Sequence, residues 1–463
     1  MQTVAAISTP PGKGGVAVIR ISGDEALSIA ERVFSPKGKT MPKSAPRMQI
    51  YGDILYRGEV IDDGLLTYFP APNSFTGEDV IEISCHGGIL VSRKVLESCF
   101  IEGASAAGAG EFTKRAFMSG KLSLSETEAI ASLLEAKSDA QIMLARGSSR
   151  SKLTLSIDRI SEKITSLLSS IWARIDYPDE DLGELSAGEI RLSIGEIGKE
   201  LNSLIATYRT GRSIAEGVRA VISGKPNAGK STLYNLLLGE EAAIVTDVAG
   251  TTTDVLERTI PLGKVLLRLY DTAGIRSEAS GKIEEIGIER SREKLSEADL
   301  VLMLIDAADG ISGEDREIIS FVKALSAPKI AIITKSELSD KDTVSAISEE
   351  LSASGFENIL AISAKDDPEG AIAALTERVE ALFTDGELSV GDDAIVFSAR
   401  QNAALIKARE YIEAAADAYD KGLFEDAASS ELELALGAIS ELDGRAVSER
   451  VIADIFSKFC VGK

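Results

Sequence analysis

The chain has 463 residues, 44% of them hydrophobic and 27% charged, with a formal net charge of −23. At roughly 150 residues per domain this predicts about three structural units with sizeable cores. The acidic balance opposes broad nucleic-acid binding through phosphate neutralisation, but leaves room for a local basic patch or a partner. No run of about 20 apolar residues could span a membrane. The start, MQTVAAISTPPGKGG, lacks the basic and apolar regions of a signal peptide. Cys85, Cys99 and Cys460 form no C-x-x-C pair and no zinc spacing, which predicts a reduced, cytoplasmic setting. His86 is the single histidine, so a histidine-rich metal site is excluded.

Residues 1–120 mix short strand-like runs (VAVIRIS, GLLTYFP, DVIEIS) with glycine turns and predict an α+β domain. The glycines of TPPGKGG precede a strand, so they read as a turn. From 121 to 216 the pattern is helical. Ser125 and Glu128 suggest a capping box, followed by Ala129, Ile130, Leu133 and Leu134 at helical spacing. From 217 to 384, apolar runs VRAVIS, VLLRLYD, LVLMLID, KIAIIT and NILAIS alternate with helical segments, the pattern of a parallel sheet covered on both faces. Residues 385–463 return to helix and end in SKFCVGK. Gly462 and Lys463 do not suit a prenylation box at Cys460. The two helical stretches can pack as one discontinuous domain around an inserted α/β unit. The expected fold class is thus multidomain α/β plus α.

The strongest local signal is GKPNAGKS, Gly224 to Ser231, which fits G-x-x-x-x-G-K-[ST] between a strand and a helix. Backbone N–H groups there would face phosphates, with Lys230 reaching the β- and γ-phosphates and Ser231 binding Mg²⁺. Further signals follow in order: Gly250-Thr251-Thr252, Asp271-Thr272-Ala273-Gly274, Thr334-Lys335-Ser336-Glu337 and Ser363-Ala364-Lys365. The last three sit at carboxyl ends of predicted strands, where doubly wound sheets bind ligands. The set resembles the guanine-nucleotide motifs of translation-factor-related GTPases. Glu337 stands where Asp is usual and Thr334 where Asn is usual. Ile275 follows D-x-x-G, so a glutamine that orients water is missing there.

The resemblance then becomes specific. PPGKGGVAVIRISG, NSFTGEDVIEISCHGG, GEFTKRAFMSGKLSLSETEA, IVTDVAGTTTDV, DTAGIR, EEIGIER and the closing IFSKFCVGK resemble the MnmE (TrmE) family of tRNA-modification GTPases from one end of the chain to the other. The family likeness implies an N-terminal tetrahydrofolate-binding and dimerisation domain, a discontinuous helical domain and an inserted P-loop GTPase domain with a mostly parallel doubly wound sheet. It implies GTP contacts from Asn227, Ala228, Gly229, Lys230, Ser231 and Thr232, from the loop Thr246-Asp247-Val248-Ala249-Gly250-Thr251-Thr252, and from the three later motifs.

Mg²⁺ would be held by Ser231 and Thr252. K⁺ would be held by Asn227, Thr246, Val248 and Thr251, in place of an arginine finger. Glu284 would orient the water, although on the residues alone it reads as a solvated helix-start glutamate. Arg20, Glu82, Lys121 and Lys463 would contact a 5,10-methylene- or 5-formyl-tetrahydrofolate. Without the likeness, those are ordinary surface charges. Cys460 is either chemical or site-lining, and His86 either a turn residue or a reactive one. The implied partners are a second copy, the FAD protein MnmG (GidA) in a heterotetramer, and tRNA, with no membrane. FAD enters only through MnmG. The alternative, an Era-like GTP-switched ribosome assembly factor, is opposed by the acidic charge and the N-terminal motifs.

Overall fold

The computed structural model describes residues 2–149, 152–176, 187–239, 257–270, 295–386, 388–390, 392–421, 425–444, 449–457 and 459–462. The chain divides into two compact units, one of residues 1–134, 148–194 and 410–463, the other of residues 135–147 and 195–409.

The first unit contains strands β1 (Val4–Ile7), β2 (Val16–Ser22), β3 (Phe34–Pro36), β4 (Ile50–Tyr56), β5 (Glu59–Phe69), β6 (Val80–His86) and β7 (Ser105–Ala106). They form one sheet in the order β3-β4-β5-β6-β2-β1-β7. All neighbours are antiparallel except β1 and β7. Alternation along β2 explains its two faces. Ala17, Ile19 and Ile21 enter a core with the helices Ala26–Val33 and Ile89–Ile101. Arg20 faces the other way, opposite Glu82 of β6.

The helical part of this unit includes the long helix Lys152–Asp176, whose apolar stripe of Leu153, Ile157, Ile160, Ile164, Leu167 and Ile171 is buried. It packs against the helix Glu425–Asp443. Two sequence-distant segments therefore share one core, as the discontinuous pattern predicts. The expected capping box is corrected by two residues. The helix Leu124–Glu135 is capped by Ser123, whose Oγ accepts from Glu126 N at 3.1 Å while Glu126 Oε2 accepts from Ser123 N at 2.7 Å. Ser125 is instead buried and donates to the Leu442 carbonyl at 3.0 Å. Both serines have an acidic residue three positions on, so the pattern alone did not separate them.

The second unit carries β8 (Val218–Ser223), β9 (Glu257–Leu262), β10 (Val265–Tyr270), β11 (Leu300–Asp306), β12 (Lys329–Thr334) and β13 (Asn358–Ala361). Their order is β13-β12-β11-β8-β10-β9, parallel throughout except the β9–β10 pair. Every residue of β11, LVLMLID, is buried. Its six apolar residues, Leu300 to Ile305, are what a strand covered on both faces requires. The helices Lys230–Leu238 and Pro368–Phe383 cover one face. The helices Gly313–Ala324 and Lys341–Ala353 cover the other.

Candidate functional site

The phosphate-loop sequence connects β8 to the helix Lys230–Leu238. Gly224 opens it at φ +148°, and a Cβ there would lie 2.7 Å from the Leu304 carbonyl oxygen of the neighbouring strand. No other residue type fits without moving β11. Asn227 (φ +64°) and Gly229 (φ +89°) both take left-handed conformations, which asparagine tolerates better than most residues. The loop leads into the helix start, where N–H groups and the positive end of the helix dipole favour a bound anion. Ser231 and Thr232 are exposed on the first helical turn. Lys230 lies partly buried. Its Nζ donates to the carbonyls of Gly224 at 2.8 Å and Lys225 at 2.6 Å.

Tertiary structure brings the segment Thr334-Lys335-Ser336-Glu337 to this loop. Thr334 ends β12 and is buried, with its Oγ1 2.9 Å from the Ala228 carbonyl and 3.1 Å from that of Ile305. The hydroxyl thus occupies the junction between the two loops, a role that the usual asparagine could also fill. Lys335 (φ +54°) pairs with the buried Asp306 at the end of β11. Glu337 lies exposed on the short 3-10 turn Ser336–Leu338. Ser363, after β13, accepts from Asp366 N through its Oγ at 3.0 Å, which shapes the turn carrying Ala364 and exposed Lys365. Asn227, Ala228, Gly229, Lys230, Thr334 and Lys335 therefore belong to one rim at the carboxyl ends of the strands. Thr246, Asp247, Val248, Ala249, Gly250, Thr251, Thr252, Asp271, Thr272, Ala273, Gly274, Glu284 and Lys463 lie outside the described residues.

In the first unit, Arg20 and Glu82 are brought together as an ion pair. Arg20 Nε and Nη2 both donate to Glu82 Oε1, at 2.9 and 2.8 Å. The Arg20 guanidinium also stands over the rings of Phe75 (5.7 Å) and Phe112 (5.5 Å). Lys121 is exposed near Gly77, where its Cε would lie 3.7 Å from an added Cβ. Phe75, 41% exposed, was not anticipated from sequence, because a lone aromatic in a loop carries no periodic signal.

The tail docks on this unit. Val461 bridges to Ala109, and Gly110 N donates to the Cys460 carbonyl at 3.4 Å. Gly462, at φ +98°, sits so close to β1 that a Cβ would meet the Ile7 carbonyl oxygen at 2.2 Å. Cys460 is exposed. Val461 lines a cavity of about 650 Å³ with Ile7, Pro10, Lys13, Ile89 and Leu96. Arg20, Glu82 and Lys121 do not line that cavity.

Elsewhere in the unit, His86 Nδ1 lies 2.7 Å from Asp62 Oδ1, and this hydrogen bond raises the imidazole pKa above its ordinary value. Burial pushes the thiol of Cys85 up to about 11 and that of Cys99 up to about 12, which makes both poor nucleophiles.

Fold and site define a P-loop GTPase inserted in a helical and α+β frame. The pattern described as "GTP-binding protein TrmE N-terminus" matches residues 3–121, and "MnmE helical domain" matches residues 124–460. A protein named tRNA modification GTPase MnmE from Clostridioides difficile (strain 630) is 37% identical over 464 residues, covering 100% of this chain and 99% of its own length. Its namesake from Acetivibrio thermocellus is 39% identical over 466 residues, with the same coverage of 100% and 99%. Among solved structures, Aquifex aeolicus Era bound to GDP.AlF4- is 29% identical, with a TM-score of 0.28, over 42% of this chain and 66% of that one. The chain belongs to the MnmE family of tRNA-modification GTPases.

Proposed function

We propose that this protein is a K⁺-dependent GTPase of the cytoplasm that, with the FAD protein MnmG, modifies the wobble uridine of certain tRNAs at C5. The product would be of the carboxymethylaminomethyl or aminomethyl type. A tetrahydrofolate derivative supplies the one-carbon unit, and glycine or ammonium the amine. The observation that carries this reading is the match to tRNA modification GTPases along the whole chain, in the N-terminal and helical parts as well as at the phosphate loop.

At the nucleotide, loop N–H groups and Lys230 hold the phosphates, and Ser231 with Thr252 holds Mg²⁺. Asn227, in its left-handed turn with an exposed side chain, can turn its amide oxygen toward a K⁺ shared with Thr246, Val248 and Thr251. When bound, a cation held by these residues would supply positive charge against the charge that develops on the phosphates. Glu284 orients the water, which Ile275 cannot do. Glu337 accepts from the guanine edge.

At the folate, Arg20 satisfies one oxygen of Glu82 and leaves Oε2 to accept from the amino-pyrimidine edge of a pterin. Lys121 and Lys463 meet its oxygens. Pairing of two copies orders the K⁺ loop. The test is nucleoside analysis of wobble uridines in a strain lacking the gene, complemented by wild type or Lys230→Ala. Modification should vanish on deletion and return only with wild type. Unchanged wobble nucleosides in the deletion strain would overturn the proposal.

A further inference from the structure

Lys225, the second residue of the phosphate loop, points inward. Its side chain is 11% exposed, and its Nζ lies 3.3 Å from Asp309 Oδ2 and 3.3 Å from Asp315 Oδ2. Asp315 is fully buried in the first turn of the helix Gly313–Ala324. Its Oδ2 accepts from Ser312 N at 2.9 Å and from Ser312 Oγ at 2.6 Å, closing a capping box. Its Oδ1 is buried without a hydrogen-bond partner. A capping box explains a carboxylate at this position, but it does not require burial against a lysine. A carboxylate so enclosed is costly unless a cation neutralises it, and Lys225 is that cation.

The backbone of the same residue has a second task. The Lys225 carbonyl accepts from Lys230 Nζ at 2.6 Å, beside the Gly224 carbonyl at 2.8 Å. It also accepts from Ala228 N at 3.3 Å. The side chain held at Nζ hangs from the Cα that carries this carbonyl, and its burial (11% exposed) leaves the four-carbon stem little freedom, so the anchor restricts the backbone there. Asp306, nine residues before Asp315, holds Lys335 of the Thr334-Lys335-Ser336-Glu337 segment. The segment from the end of β11 to the first turn of the helix Gly313–Ala324 thereby grips both loops.

We propose that Lys225 is a positioning residue. Its ion pair with buried Asp315 fixes the first turn of the phosphate loop, so that the Gly224 and Lys225 carbonyls aim Lys230 at the phosphates. This rests on the reading of residues 224–231 as the phosphate loop.

The test uses the full chain, a fluorescent GDP analogue, GTP turnover and thermal melts. Lys225→Met should weaken GDP binding about tenfold, the scale of one misplaced charged hydrogen bond, and lower kcat. Lys225→Arg should recover part of the affinity. The double variant Lys225→Met with Asp315→Asn removes both charges, so its melting temperature should return toward wild type while its affinity stays weak. Wild-type affinity in Lys225→Met would overturn the inference. So would a double variant that regains stability and affinity together, because Lys225 would then only neutralise Asp315. Lys230→Ala in the same assay isolates the underlying reading. Undiminished GDP binding in that variant would sink the phosphate-loop assignment itself.

Discussion

Asn227 is a residue whose conformation and chemistry point the same way. It sits at φ +64° in the phosphate loop, with an exposed side chain beside the start of the helix Lys230–Leu238. GTP hydrolysis should rise strongly in K⁺ over Na⁺, and Asn227→Ala should remove most of that difference. Equal wild-type rates in the two salts would exclude the K⁺ site. Glu284, proposed to orient the water, tests the other half of that proposal. Glu284→Ala should lower kcat by about 10² or more with nucleotide affinity nearly unchanged, as for a group acting mainly on the transition state. A wild-type rate in that variant would assign the water to another residue.

His86 offers a test independent of nucleotide. Because it is the single histidine, one imidazole resonance reports it. Its hydrogen bond to Asp62 raises the folded pKa. The linked stabilisation is therefore present below the unfolded value of about 6.5 and is lost as pH rises through the folded pKa. The resonance should titrate above the ordinary value of about 6.5 in wild type and fall back toward it in Asp62→Asn. An identical midpoint in both proteins would show that the pair is not populated in solution.

At the scale of elements, the tail is the informative one. Its docking depends on Gly462, which no side chain can replace without displacing the chain from β1. If Lys463 reaches the folate, removing Val461, Gly462 and Lys463 should weaken binding of a reduced-folate analogue about tenfold, while GTP hydrolysis continues. Gly462→Ala should reproduce much of that loss with the lysine still present, because the tail is then pushed off the strand. Folate titrations that cannot distinguish either variant from wild type would separate the tail from the folate site. Cys460→Ser distinguishes the two roles left open for the thiol. It should reduce wobble modification without abolishing it if the exposed sulfur lines the site, whereas complete loss would make it chemical.

The capping boxes show how far an element is legible in its own residues. Ser312 and Asp315 form one, and their spacing is plain in SGED. In LSLSETEA, two serines each precede an acidic residue by three, and packing decides between them. Ser125 is drawn into the interior by the Leu442 carbonyl, which leaves Ser123 to cap.

For the whole molecule, order in the K⁺ loop is proposed to come from pairing of two copies. GTP turnover per chain in K⁺ should then rise with protein concentration until dimerisation of the nucleotide domains saturates, and concentration-independent turnover would exclude that coupling. Much of this organisation follows from local patterning. The phosphate loop, the alternation of apolar runs with helices and the apolar run Leu300–Ile305 of β11 are properties of neighbouring residues, and short-range sterics and burial dictate them. Family-specific motifs extend that legibility to the proposed folate residues. What pairs with what across long sequence separations was not legible. Arg20 meets Glu82 because β2 and β6 lie side by side in register. Lys225 finds Asp315, Lys335 finds Asp306, and Thr334 reaches Ala228 because the parallel sheet gathers strand ends from distant segments. Charges and hydroxyls carry no periodicity that names their partners. Their pairing is chosen by where the apolar cores place the backbone, and only the folded chain supplies those positions.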